Sequence, residues 1–243
     1  MLKEIFTIGG YSSLETDRPF SDKLILLLKI YGCIFLLNLL SAPISALAEL
    51  LVTHVLHLKS ITANYKTSMH SFFARYGTLK AAVYICVLGP LIEETIFRLP
   101  LSFKKQHIAI AFGCALLLFV KSVPYINHLD LTSAIIVRVV LFVLGYLALI
   151  KLLPANTYLN KRMQTSFIVL SILLFGLMHI FNYAPMQWVI IFMYPFFIIP
   201  QLVIGWTLTY IRFKSGFFWS VALHSLINSV SVLIMLSVKN PYI

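Results

Sequence analysis

An all-α, polytopic transmembrane helix bundle is the fold class this sequence predicts, and three observations predict it. Apolar residues make up 60% of the 243 residues while only 11% are charged, and the mean hydropathy is +0.93. Apolar runs approaching the ~20 residues that a helix needs to cross a bilayer recur along nearly the whole chain. Short breaks separate these runs, and they hold most of the Lys and Arg. This composition excludes a soluble domain of the same size and leaves no room for a separate one. The formal charge of +11 raises the question of nucleic acid. The basic residues are scattered through interhelical loops, however, and gather into no patch or basic helix, so the bilayer is the expected partner and nucleic acid is not. Cys33, Cys86 and Cys114 all lie inside apolar runs without CxxC spacing, which indicates neither a zinc knuckle nor a disulfide framework.

Residues 1–78 read as an interfacial segment and a first transmembrane helix, or a hairpin in its place. Met1 to Ser21 are polar and mixed in charge, and Leu2, Ile5, Phe6 and Ile8 can lie on a membrane surface. The basic start, apolar middle and small-residue cleavage site of a secretory signal are missing, so the first membrane helix is expected to act as the targeting signal. At ~1.5 Å per residue, the apolar stretch from Leu24 to His57 would measure about 50 Å as one helix, against ~30 Å of hydrocarbon. It must tilt, protrude, or break near Ser41-Ala42-Pro43. Glu49, His54 and His57 read as its interfacial end, and Lys59 to Thr78 as a polar connection.

The segment Leu79 to Leu101 follows, closed by Lys104 and Lys105, and then His107 to Val123. The next loop holds Asn127, His128 and Asp130, read as solvated and not as a metal site. Leu131 to Leu153 carries Arg138, read as a snorkelling side chain in preference to a partner for an intramembrane acid. Thr165 to Tyr183 ends in Phe175-Gly176-Leu177-Met178-His179. Gln187 to Ile211 contains Pro195 and Pro200 and sets Gln201, Gly205 and Thr209 at four-residue intervals, so a kinked or partly re-entrant helix is expected. Phe217 to Val238 is the last. The count is seven spans, or eight if the first breaks at Pro43. With seven, Lys3, Arg18, Lys23, Lys104, Lys105, Lys151, Lys161, Arg162, Arg212 and Lys214 share the side of the N-terminus. Only Lys59, Lys66, Arg75, Lys80, Lys121 and Lys239 face the other side. This bias places the N-terminus in the cytoplasm.

Three places put polar groups capable of acid–base work inside apolar helices, where an ionisable side chain costs roughly 2.5–3.5 kcal/mol to insert. The first is Gly89-Pro90-Leu91-Ile92-Glu93-Glu94-Thr95-Ile96-Phe97-Arg98. Glu94 and Arg98 are four apart and share a helical face, where they can neutralise each other. Glu93 points about 100° away, on a stripe with Gly89 and Phe97. Pro90 removes a backbone donor and should release the carbonyl of Cys86. The second place is His179, with Phe175 one turn earlier. The third is His224 with Asn228, extended by Ser220 and Ser231 into a polar stripe that should face the bundle interior. Singly, each has a structural explanation as a helix-end ion pair or an interhelical hydrogen bond. Jointly, two acids, two histidines and an asparagine in otherwise apolar helices point to chemistry.

Glu-Glu-x-x-x-Arg from Glu93 to Arg98, Phe-x-x-x-His from Phe175 to His179, and His-x-x-x-Asn from His224 to Asn228, in that order, resemble the CPBP family of intramembrane proteases. That family groups type II CAAX prenyl endopeptidases with bacteriocin-processing and self-immunity proteins, and is also called Abi. The resemblance implies that residues 79–238 form the protease core, a bundle of about eight helices around a membrane-embedded cavity. It implies that Glu93 takes a proton from the attacking water, that His179 helps hold that water, and that His224 and Asn228 donate hydrogen bonds to the oxyanion. Glu94 and Arg98 would brace the site. The substrate would be a membrane-associated peptide or protein, and the location the plasma (inner) membrane.

The family has been described as metalloproteases, and Glu93, His179 and His224 are possible zinc ligands. No HExxH pairing is present and asparagine is an unusual zinc ligand, so a reaction without a cofactor is expected, with zinc as the alternative. Two other classes of function compete. One is a non-catalytic membrane scaffold or self-immunity protein of the same fold, against which the complete motif set argues. The other is a proton-coupled transporter, against which the lack of an internal repeat argues.

Overall fold

The computed structural model describes residues 2–7, 11, 17–121, 131–154 and 160–237, and every regular element among them is helical. The expected loop with Asn127, His128 and Asp130 lies outside the described residues, as do Ile8, Val123 and Val238. Among the described residues, five helical stretches are long and apolar enough to cross a membrane: Phe20–Val55, Thr132–Leu152, Lys161–Tyr183, Trp188–Ser215 and Phe217–Ser237. Lys105–Leu118 is apolar but shorter, so five of the seven expected spans reach membrane-crossing length among the described residues. Leu39, Leu40, Leu47 and Val55 stand among many exposed apolar side chains, as lipid-facing residues should. The protein is an integral membrane protein.

Contacts divide the chain into two compact units, one of residues 1–90 with 169–243 and one of residues 91–168. In the first unit, α1 (Leu2–Phe6) precedes α2 (Phe20–Leu50), which runs unbroken through Pro43 into a π-helical turn, Leu51–Val55. The long apolar segment is therefore one helix and not a hairpin. Its buried residues Leu27, Ile30, Ile34, Ser41 and Ala48 recur at three-, four- and seven-residue steps, a single seam that packs along α9 (Tyr194–Ser215).

The polar connection expected from Lys59 to Thr78 is a helix, α3 (Ile61–Tyr76). Its start was legible: Ser60 Oγ accepts from the Ala63 N–H at 2.9 Å, and Glu49 Oε2 accepts from the Thr62 N–H at 3.3 Å. Glu49, read as an interfacial end, thus caps the next helix. Gly77, at φ 78°, ends α3 where an L side chain would be strained.

The rest of this unit comprises α4 (Thr78–Val83), a π-helical turn at Tyr84–Leu88, the start of α5 (Gly89–Phe97), most of α8 (Lys161–Met178), 3₁₀ turns at His179–Tyr183 and Trp188–Met193, α9, and α10 (Phe217–Ser237). The kink in this segment falls at Ile190, which leaves helical geometry at φ −119°, and not at the prolines: Pro195 sits in the first turn of α9 and the helix runs on through Pro200. Pro200 cannot donate to Phe196 O, and the Ser45 hydroxyl of α2 fills that carbonyl at 3.0 Å. Of the N-terminal residues expected on a membrane surface, Ile5 is instead fully buried. Its carbonyl accepts from Trp206 Nε1 at 2.7 Å and from the Tyr11 hydroxyl, because an indole N–H on an apolar span needs an acceptor.

In the second unit, α6 (Lys105–Lys121) packs beside α7 (Leu131–Leu152) at close range. A Cβ on Gly113 would lie 2.8 Å from Phe142 Cδ2, and one on Gly145 would lie 2.5 Å from Leu116 Cδ1. Small residues bring helices together in lipid because packing there must replace the hydrophobic effect. The unit also holds most of α5 and a 3₁₀ turn, Leu99–Ser102.

Candidate active site

In a π turn each N–H reaches five residues back, and the Gly89 N–H accordingly bonds Tyr84 O. The next acceptor in that register is Ile85 O, and its donor would be Pro90, which has no N–H. Asn228 Nδ2 of α10 takes that place, donating to Ile85 O at 2.9 Å. The carbonyl expected to be released, that of Cys86, presumes a regular α register; the π turn moves the gap by one residue. Gly89 leaves this turn uncrowded, for a Cβ there would lie 3.1 Å from Tyr84 O, a tight contact.

The boundary between the two units falls inside α5, after Pro90, so the acidic motif belongs to the second unit. Glu94 and Arg98 are both fully buried, with Oε1 and Nη1 3.4 Å apart. The pair read from the i, i+4 spacing is closed, and the guanidinium also lies 5.8 Å from the Phe97 ring centroid. Glu93 is half-buried.

In the first unit, α8 ends at Met178 and His179 opens the 3₁₀ turn. His179 Nδ1 lies 2.7 Å from Phe175 O. A carbonyl only accepts, so Nδ1 carries a proton and donates to it. The Phe175 ring is fully buried and packs against both histidines, 4.7 Å from the His179 ring and 5.7 Å, edge-on, from that of His224. Gly176 lets α8 meet α9, for a Cβ there would lie 2.3 Å from Leu202 Cδ2.

The stripe on α10 turns gradually outward. Ser220 and His224 are buried, Asn228 is half-buried and Ser231 is exposed, so the expectation of a wholly interior stripe fails at its end. Both serine hydroxyls bond their own helix, Ser220 to Phe217 O at 2.7 Å and Ser231 to Ile227 O at 2.9 Å. Short hydroxyls reach back to the preceding turn before they reach a neighbouring helix.

The first unit thus gathers His179 and His224 on one aromatic ring and fixes Asn228 on the π turn, while Glu93, Glu94 and Arg98 form a motif of the second unit. Sequence reasoning placed Phe175 one turn before His179 but not against His224, and it missed Ile85, since nothing in that residue marks its carbonyl as an anchor. The signal for that carbonyl is Pro90 combined with a register that sequence does not reveal. Among the described residues no group of three or more His, Cys, Asp or Glu side chains is placed to hold a metal ion.

No curated protein and no solved structure matches the chain. A family model does, across residues 75–230, a stretch that holds all three motifs and well over half of the sequence. By that match the chain belongs to the Type II CAAX prenyl endopeptidase Rce1-like family.

Proposed function

We propose that this protein is an intramembrane endopeptidase that hydrolyses a peptide bond of a membrane-associated peptide or protein without a metal. The observation that carries this reading is the pair of histidines flanking Phe175, one of them held through Nδ1 by the Phe175 carbonyl. Membership of a protease family supports it.

In this mechanism Glu93 removes a proton from water as its oxygen attacks the scissile carbonyl carbon, and His179 Nε2 accepts a hydrogen bond from the same water. The carbonyl π electrons move to oxygen. His224 and Asn228 donate hydrogen bonds to that oxyanion, each such donor being worth ~10²–10³ in rate. Asn228 has two amide N–H groups: one is spent on Ile85 O, which orients the side chain, and the other serves the oxyanion. Collapse of the tetrahedral intermediate breaks the C–N bond, and the proton on Glu93 passes to the leaving amine. Glu94 and Arg98 brace the helix that carries Glu93. The enzyme would work in the plasma (inner) membrane with its N-terminus in the cytoplasm.

The test is cleavage of membrane-tethered peptides by purified protein in detergent, with wild type beside Glu93→Gln and with or without a strong zinc chelator. Cleavage that survives chelation and is lost in the variant is expected. Loss on chelation would replace the metal-free route with one using zinc. No cleavage by wild type across a broad library would instead favour a non-catalytic scaffold or self-immunity role.

A further inference from the structure

A cavity of about 290 Å³ opens within the first unit. One wall is a single face of α3, formed by Tyr65, Ser68, Met69 and Phe72 at steps of three, one and three, the spacing that aligns side chains along a helix. Tyr84 and Ile85 of the π turn line it as well, together with Phe181 and Asn182. The Phe72 and Tyr84 rings are 5.6 Å apart, so the walls meet as an aromatic corner.

Two connections tie this cavity to the motifs. Ile85, which lines it, is the residue whose carbonyl Asn228 holds at 2.9 Å. Phe181 and Asn182 belong to the 3₁₀ turn that opens with His179, and at ~2 Å rise per residue they lie only about 4–6 Å along the axis from it. An apolar cavity of about 150 Å³ accommodates benzene. The volume here, 290 Å³, therefore suits a group of about two rings. Ser68 and Asn182 add hydrogen-bonding groups to a wall that is otherwise largely aromatic, a mixture suited to a side chain and the peptide backbone that carries it.

We infer that this cavity is a specificity subsite that receives a bulky aromatic side chain of the peptide substrate next to the scissile bond. The inference rests on the endopeptidase reading above, and its test separates the two.

A membrane-tethered peptide carrying p-benzoylphenylalanine, whose two rings match the cavity, is photolysed with the Glu93→Gln protein, and adducts are mapped by mass spectrometry. Benzophenone inserts readily at methionine, so an adduct at Met69 is expected, competed by the same peptide with Phe at that position and not by the one with Ala. Ser68→Trp, which places an indole in the cavity from an exposed helix position, should abolish the adduct. Adducts that map only elsewhere, or an adduct at Met69 unmoved by Ser68→Trp, would overturn the subsite, whether or not the wild type cleaves anything. In the second arm, wild type should cleave the Phe peptide with kcat/KM at least ~10-fold above the Ala peptide, and Ser68→Trp should lower cleavage of the Phe peptide far more than that of the Ala peptide, bringing the ratio towards one. Cleavage with no side-chain preference would sink the subsite and leave the protease reading standing. A Met69 adduct without any cleavage would keep a peptide site and remove the protease.

Discussion

Arg98 and Glu94 are both closed to solvent, which makes their 3.4 Å contact costly to break from one side only. Arg98→Ala deprives a buried carboxylate of its cation and should lower unfolding stability by about 3–5 kcal/mol. Joint replacement, Glu94→Leu with Arg98→Met, should recover most of that loss, because two buried charges and their desolvation disappear together. Thermal unfolding in detergent reads both. Glu93→Gln is isosteric and should leave unfolding unchanged while abolishing proteolysis. Full activity in this variant would remove Glu93 as the base. His179→Ala should also abolish proteolysis, and it should cost about 0.5–1.5 kcal/mol besides, since it deletes the hydrogen bond to Phe175 O. The ion pair was legible in the sequence because i, i+4 spacing dictates a shared helical face. That Nδ1 of His179 carries a proton was not, because it depends on which carbonyl lies within 2.7 Å.

Among helices, two prolines raise the same problem and two polar side chains answer it. Pro200 strands Phe196 O and Ser45 fills it; Pro90 strands Ile85 O and Asn228 fills it. In hydrocarbon no water can substitute, so a side-chain donor at these two carbonyls replaces a bond that would otherwise be lost. Asn228→Ala should therefore cost stability as well as activity, about 1–3 kcal/mol. In a Pro90→Ala background, which returns a backbone N–H, the stability cost should shrink while the activity loss stays. Equal stability costs in both backgrounds would mean that the bond to Ile85 O contributes nothing. That a helix runs through this region was legible from its apolar composition. That it contains a π turn was not, because a one-residue change of register alters no composition. The helix α3 was missed although Ser60 and Gly77 mark its ends, since its polar residues resembled a connection.

For the molecule as a whole, the distribution of Lys and Arg predicts an orientation that can be checked in cells. In a background lacking Cys33, Cys86 and Cys114, Arg18→Cys and Lys214→Cys should label only with a membrane-permeant thiol reagent, and Lys66→Cys with an impermeant one. The reverse pattern would invert the topology. What the sequence by itself determined is the set of apolar spans, their helical state and the order of the three motifs. Hydrocarbon compels each span to satisfy its own backbone, so local composition suffices to reveal it. What only the tertiary structure decided is that Phe20–Val55 runs as one rod, that Phe175 joins two histidines, and that Asn228 reaches Ile85. Asn228 and Ile85 are 143 positions apart, and contacts of that kind follow from how helices pack and how far side chains reach across them, which no local pattern encodes.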